Sequence, residues 1–248
     1  MQMYNVKESK SNITSKSHTV SVDELRLLLD SVKGVDKILV IGLGYCGMRE
    51  GELIHMRYNW IKHNKEDLDV ESFGIPHIEI PSSGTIPCEC NDCRLRKFIA
   101  TQKTKGEHYT VEWYRKKQKK YYRLKRKNKL PELKSVWRPK SAKGERRIPL
   151  IESDTIPILL DYFVNHKKIN MDRFQVWSRV SKMGQKYLEK KIFPHSLRAT
   201  FGTHLARKGV NMFALKNVMG HMHIDTTDQY IETDKHIAFK EIKAVYKL

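Results

Sequence analysis

Between Arg94 and Arg147 the sequence holds 21 lysines and arginines against four acidic residues, within 54 positions. A stretch so unbalanced in charge cannot supply the middle of a packed core, because unpaired charge is expensive to remove from water. The core must therefore come from the flanks, which are close to neutral although the 248-residue chain carries a formal charge of +19. A surplus of that size repels itself in a lone compact fold and calls for a polyanionic partner, with nucleic acid foremost. At 40% hydrophobic residues the chain has enough apolar material for a core, which excludes wholesale disorder. The longest apolar run, Ile38 to Ile41 extended by Leu43, is too short to cross a bilayer, and the polar first 18 residues do not read as an export signal. Three of the four cysteines fall within six positions, which suits a metal cluster or free thiols better than an exported disulfide framework.

Inside the basic stretch, Val111 to Lys127 contains no Gly or Pro and is rich in helix formers. Trp113, Tyr114, Tyr121 and Tyr122 interleave with its charges. Two compatible readings follow. The aromatics dock a solvated basic helix on the domain, or Arg115, Lys116, Lys119, Lys120, Arg123 and Arg126 track phosphates and set affinity without reading sequence.

Along the rest of the chain, residues 1–18 read as a flexible tail. Ser21 and Glu24 form a capping-box pattern opening a helix to about Val32. A second helical stretch spans about Asp36 to Met56, interrupted near its glycines. Arg57–Ile61 and His77–Ile80 are strand candidates, an insertion covers about 82–134, and Val136–Pro139 with Arg146–Leu150 reads as a hairpin around Ser141 to Glu145. Helices follow at about 153–168, 172–188, 195–207, 211–219 and 234–246, with Gly209 and Gly220 as stops. The fold class is α+β, mostly helical with a small antiparallel sheet. Gly42-Leu-Gly44-Tyr-Cys-Gly47 matches a dinucleotide fingerprint, but no alternating strand–helix series follows it.

The chemistry-bearing residues lie late in the chain: Pro194-His195-Ser-Leu-Arg198, then Met219-Gly220-His221, then Tyr230. Arg198 to His221 is 23 positions and His221 to Tyr230 is nine. This arrangement closely resembles that of the tyrosine recombinases, the phage-type and Xer-type integrases. Upstream, Gly47-Met48-Arg49-Glu50-Gly51-Glu52-Leu53 with Trp60 resembles that family's first arginine box. Arg138-Pro139-Lys140-Ser141 before Arg146-Arg147-Ile148-Pro149-Leu150 resembles its lysine hairpin, with Lys143 as the alternative lysine. The resemblance implies a recombinase catalytic domain over residues 19–248, carrying the 82–134 insertion, that cleaves and rejoins duplex DNA. It also implies roles. Arg49 and Arg198 bind the phosphate, Lys140 is the general acid, and Tyr230 is the nucleophile of a 3′-phosphotyrosyl intermediate. His195 is the general base, His221 binds a nonbridging oxygen, Glu52 supports the site, and Lys143 adds to DNA contact. No cofactor is required for that chemistry. Four protomers on DNA and a cytoplasmic setting, nucleoid-associated or in a viral host, are implied in the same way. A type IB topoisomerase and a non-cleaving DNA-binding protein on the same fold are the alternatives.

The sequence departs from that pattern twice. Arg49 and Lys140 are 91 positions apart because of the insertion, which holds Cys88, Cys90 and Cys93. C-x-C-x-x-C offers three soft ligands suited to zinc, and a closed site needs a fourth, for which His77 and His108 are the candidates. With zinc the insertion is a stapled knuckle; without it, a flexible basic flap. Relatives also carry a helical clamp domain ahead of the catalytic one, where only about 18 residues stand here. The basic insertion is expected to take its place.

Overall fold

The computed structural model describes residues 20–69, 72, 74–81, 86–104, 109–139 and 144–221. Ser21 and Glu24 cap α1 (Val22–Ser31) reciprocally, as the S-x-x-E spacing predicts. Just before it, the Val20 amide donates to Thr200 Oγ1 at 3.1 Å, tying the start of the domain to its C-terminal half. Helix α2 (Gly34–Val40) continues into a π-helical turn at Ile41–Tyr45, and the short α3 (Glu50–Leu53) follows. The expected helix over 36–56 is thus broken where its glycines fall. A Cβ at Gly42 would meet Leu53 at 2.4 Å, and one at Gly44 would meet Leu25 at 2.5 Å. The glycines of the dinucleotide-like run make room for core side chains, not for a pyrophosphate.

The strand candidate at 57–61 resolves into a 3₁₀ turn, Tyr58–Trp60, followed by β1 (Ile61–Lys62). Strand β2 (His77–Ile80) is central in an antiparallel sheet of order β1-β2-β5, with β5 at Arg146–Pro149. Ile78 pairs with Ile61 on one side and Ile148 on the other, and all three are buried. The hairpin expected between 136–139 and 146–150 does not form. Strand β4 (Val136–Trp137) pairs instead with β3 (Ile86–Pro87) in a second, two-stranded sheet. The reason lies in where each apolar side chain goes. Ile148 completes the isoleucine row, whereas Trp137 packs on Trp60, ring centroids 5.0 Å apart.

Between β3 and β4 the chain runs out through α4 (Asn91–Thr101) and α5 (Val111–Arg126). These helices pack on each other around Leu95, Phe98, Ile99 and Tyr121, a cluster separate from the main core. The main core is closed by α6 (Thr155–Asn165), α7 (Arg173–Tyr187), α8 (Pro194–Arg207) and α9 (Met212–Met219), close to the expected bounds. Helix α8 is the central one; Leu197, Ala199, Phe201 and Leu205 are all buried. The predicted tail, the helix at 234–246, Lys140, Lys143, His108 and Tyr230 lie outside the described residues. Among the described residues, no helix is long and apolar enough to cross a membrane.

Candidate active site

Three segments converge on one point. The turn before α3 presents Arg49, the middle of α8 presents Arg198, and the end of α9 presents His221. Gly47 enables the first: its φ is +57°, and a Cβ there would strike Phe201 at 2.2 Å. Gly220 enables the third. With φ +64° it ends α9, its amide bonding Asn217 O at 3.0 Å and the His221 amide reaching back to Lys216 O at 3.0 Å.

The polar groups interlock. Arg198, 3% exposed, donates to the carbonyls of Gly47 and Met219, and its Nη2 lies 3.3 Å from His221 Nε2. A guanidinium can only donate, so His221 Nε2 accepts and the ring proton belongs on Nδ1. Arg49 donates from Nη1 to Glu52 Oε1 at 2.9 Å and from Nη2 to Gly220 O at 2.5 Å. Glu52 also accepts two bonds from Arg146, at 2.9 and 2.8 Å, and Arg146 Nε bonds Val218 O at 2.7 Å. One buried carboxylate therefore sits among three arginines and keeps them from flying apart.

The ionisation states follow. Burial alone would raise Glu52, but the Arg146 fork and the charges of Arg198 and Arg49 outweigh it and hold the carboxyl at about 2. Burial, reinforced by Arg198, Arg49 and Arg146, pushes His221 down from 6.5 to about 4, so it is neutral at physiological pH. A histidine depressed by folding is protonated first in the unfolded chain, so its contribution is present above about 6.5 and lost as pH falls toward 4. Between about 6.5 and 4.5, before Glu52 begins to matter, this one group should cost about 2–3 kcal/mol of stability. Urea denaturation across that range should show a pH slope in the parent that His221→Asn diminishes; equal slopes would contradict the burial of a neutral imidazole.

His195, an exposed residue in the first turn of α8, borders the same cleft as Arg49 and Arg198. The cleft is also walled by Arg96 from α4, Arg138, Pro139 and Arg173. Five arginines and two glutamates line it, so it carries a net positive charge, and it is open to solvent.

Residues 151–236 match the phage integrase family. Within that matched segment fall His195, Arg198, His221 and the position of Tyr230. A tyrosine recombinase of Pseudothermotoga lettingae is 41% identical over 59 residues, covering 22% of this chain and 21% of that protein. Tyrosine recombinase XerD of Staphylococcus aureus is 31% identical over 85 residues, covering 34% and 28%. The chain thus spans less than a third of the length of these curated relatives. In three dimensions the chain resembles the Tn1549 transposon integrase in complex with transposon right end DNA, TM-score 0.54 at 18% identity, covering 96% of this chain and 69% of that one. A complex of the same integrase with circular intermediate DNA gives 0.52 at 19% identity, covering 97% and 68%. The fold is that of a tyrosine recombinase catalytic domain: mostly helical, with the small antiparallel sheet expected.

Of the residues singled out in the integrase-family pattern, Arg49, Glu52, His195, Arg198 and His221 line or support one cleft. Arg115, Lys116, Lys119, Lys120, Arg123 and Arg126 are all exposed on α5. Arg115, Lys119, Tyr122, Arg123 and Arg126 line one shallow groove there. Tyr121 is buried and anchors the helix, as the docking reading expects, while Tyr122 stays exposed beside the cations. Arg146 went unnoticed as a site residue, because an arginine in a strand reads as surface until its partner is known. Arg96 and Arg173 were also missed, and nothing in their local sequence marks them.

The cysteines find a different fourth partner from the two expected. His77 lies in β2 with Nδ1 3.0 Å from Ile75 O, away from the cluster. His55 takes the position: its Nε2 and the sulfurs of Cys88, Cys90 and Cys93 all lie within 4.8 Å of one another. Nε2 is 3.2 Å from Cys90 Sγ and 3.4 Å from Cys93 Sγ. These four residues could hold a metal ion. Cys46, fully buried in the main core, stands apart, with burial pushing its thiol up to about 12.

Proposed function

We propose that this chain is the catalytic portion of a site-specific DNA recombinase, an integrase that cleaves and rejoins duplex DNA through a tyrosine. The observation that carries this is the convergence of Arg49, Arg198, His195 and neutral His221 on one positive cleft, in a chain whose 151–236 segment is of integrase type.

Phosphodiesters resist attack because their anionic oxygens repel nucleophiles and an alkoxide leaves poorly. The reading assigns fixed guanidinium groups, Arg49 and Arg198, to the equatorial oxygens. His221, with its proton on Nδ1, would donate to a nonbridging oxygen. Tyr230 Oη would attack phosphorus and pass its proton to His195; the bond from phosphorus to O5′ would break, O5′ taking the electron pair and a proton from Lys140. The reverse steps with a new 5′ hydroxyl rejoin the strand without ATP. Glu52 would hold the arginines in place without touching DNA. Residues 1–18 would then be a tail, residues 19–248 the catalytic domain, and α5 with Lys143 a phosphate-tracking surface. Assembly of four protomers on DNA and work in the cytoplasm, where mobile or viral DNA is accessible, belong to the same reading. The Cys/His cluster we assign to structural Zn²⁺, since three sulfurs and one imidazole with no carboxylate suit it best.

The experiment is a nicked suicide duplex bearing a candidate attachment site. A covalent adduct mapped to Tyr230 and lost in Tyr230→Phe supports the proposal. Tight binding to verified cognate DNA with no adduct overturns it in favour of a binding-only role.

A further inference from the structure

The helices α4 and α5 form an arm with its own small core, and of their described residues only Cys93 belongs to the main apolar core. The cysteine cluster stands at that joint. Cys88 follows β3 directly, Cys90 caps α4, and Cys93 lies in the first turn of α4. The Cys93 amide donates to Cys90 Sγ at 3.4 Å and the Cys90 amide to Cys88 Sγ at 3.5 Å, an arrangement that suits thiolates. The fourth ligand comes from the other side of the joint, two residues past α3.

His55 is aimed by its second nitrogen. The backbone breaks from α-helical pairing after α3, with the His55 amide bonding Glu52 O, so the Gly51 carbonyl is left for side chains. His55 Nδ1 bonds it at 2.6 Å, and Trp137 Nε1 at 3.1 Å. Nδ1 therefore carries the proton, and the Nε2 lone pair faces the sulfurs, which is the usual way a ligating imidazole is oriented. Gly51 itself lies between Glu50 and Glu52, two residues from Arg49. A chain of contacts runs from the sulfurs through His55 and Gly51 to the residues that hold the arginines.

We infer that a zinc ion bound by His55, Cys88, Cys90 and Cys93 is the strut that fixes the basic arm to the catalytic box, placing Arg96 in the cleft wall and the cationic face of α5 for DNA. The site itself stands on its ligand geometry; only the word "catalytic" rests on the recombinase reading. Removing the ion leaves both cores intact and frees one from the other.

The test uses the full chain as purified, then stripped with a chelator and reloaded with Zn²⁺. Metal analysis should give one zinc per chain, and Co²⁺ in its place should give the thiolate-to-cobalt absorption of a tetrahedral site. Hydrogen exchange on stripping should rise in residues 50–55 and 91–101 and stay unchanged in α8. Affinity for a random-sequence duplex should fall about tenfold or more at fixed salt and return on reloading. Cys90→Ser, a near-isosteric change at the one partly buried cysteine of the cluster, should reproduce the stripped state. Absence of stoichiometric zinc overturns the site. Zinc bound with unchanged exchange and DNA affinity overturns the strut. Exchange rising in α8 as well would mean that the ion folds the whole domain, which also overturns it. None of these readouts needs strand cleavage, so failure here and failure to form the Tyr230 adduct are separate results.

Discussion

Arg198→Lys should lower the single-turnover rate of covalent DNA cleavage by about 10²- to 10³-fold, with little change in duplex affinity. The substitution keeps the charge and removes the planar fork. In the parent, one guanidinium reaches the Gly47 carbonyl, the Met219 carbonyl and His221 Nε2 together. An ammonium on a flexible stem cannot span three acceptors lying on different elements. It would also release His221, whose tautomer is fixed by the arginine N–H. The phosphate would lose one rigid contact directly and a correctly oriented imidazole with it. Cleavage on a suicide duplex at parental rate would remove Arg198 from the phosphate-binding role, whatever the affinity.

The second large effect falls on stability. Glu52→Gln should cost about 3–5 kcal/mol, the price of leaving buried cations without their counter-charge. The side chains of Glu52 and Arg146 are 3% and 5% exposed, so water cannot take over. Arg49 and Arg198 add repulsion that the glutamine amide does not cancel. Chemical denaturation would measure the loss. The double variant Glu52→Leu with Arg146→Met should recover much of it, because burying apolar groups in place of a whole ion pair is often near neutral. A single-variant loss below about 1 kcal/mol would show that the carboxylate is not the keystone its contacts suggest.

What could be read beforehand followed from local chemistry. Ser21 with Glu24, and Gly220 as an αL stop, are short-range signals whose geometry depends on a few neighbouring residues. That His195 and Arg198 share a helix face follows from their spacing, but their grouping with His221 was legible only through the resemblance to the recombinase signature. Strand partners were not legible. Val136–Trp137 and Arg146–Pro149 both read as strands, but pairing is decided by distant surfaces, the Trp60 ring in one case and Ile78 in the other. The fourth cysteine partner was hidden for the same reason. His55 precedes Cys88 by 33 positions across three strands, and only the folded chain brings it closer than His77. Arg146 shows the limit most plainly, since a buried arginine is intelligible only beside the carboxylate that neutralises it.

The arm leaves the domain after Pro87 and returns at Val136, and these two residues face each other across an antiparallel ladder. Topologically the whole basic extension is the tip of a hairpin. What lies beyond such a tip can lengthen, shrink or be exchanged without moving either strand, since both ends of the excursion are already a ladder rung apart. Evolution could therefore fit this scaffold with different grips for different targets by editing one contiguous block of sequence, and leave the chemistry below untouched.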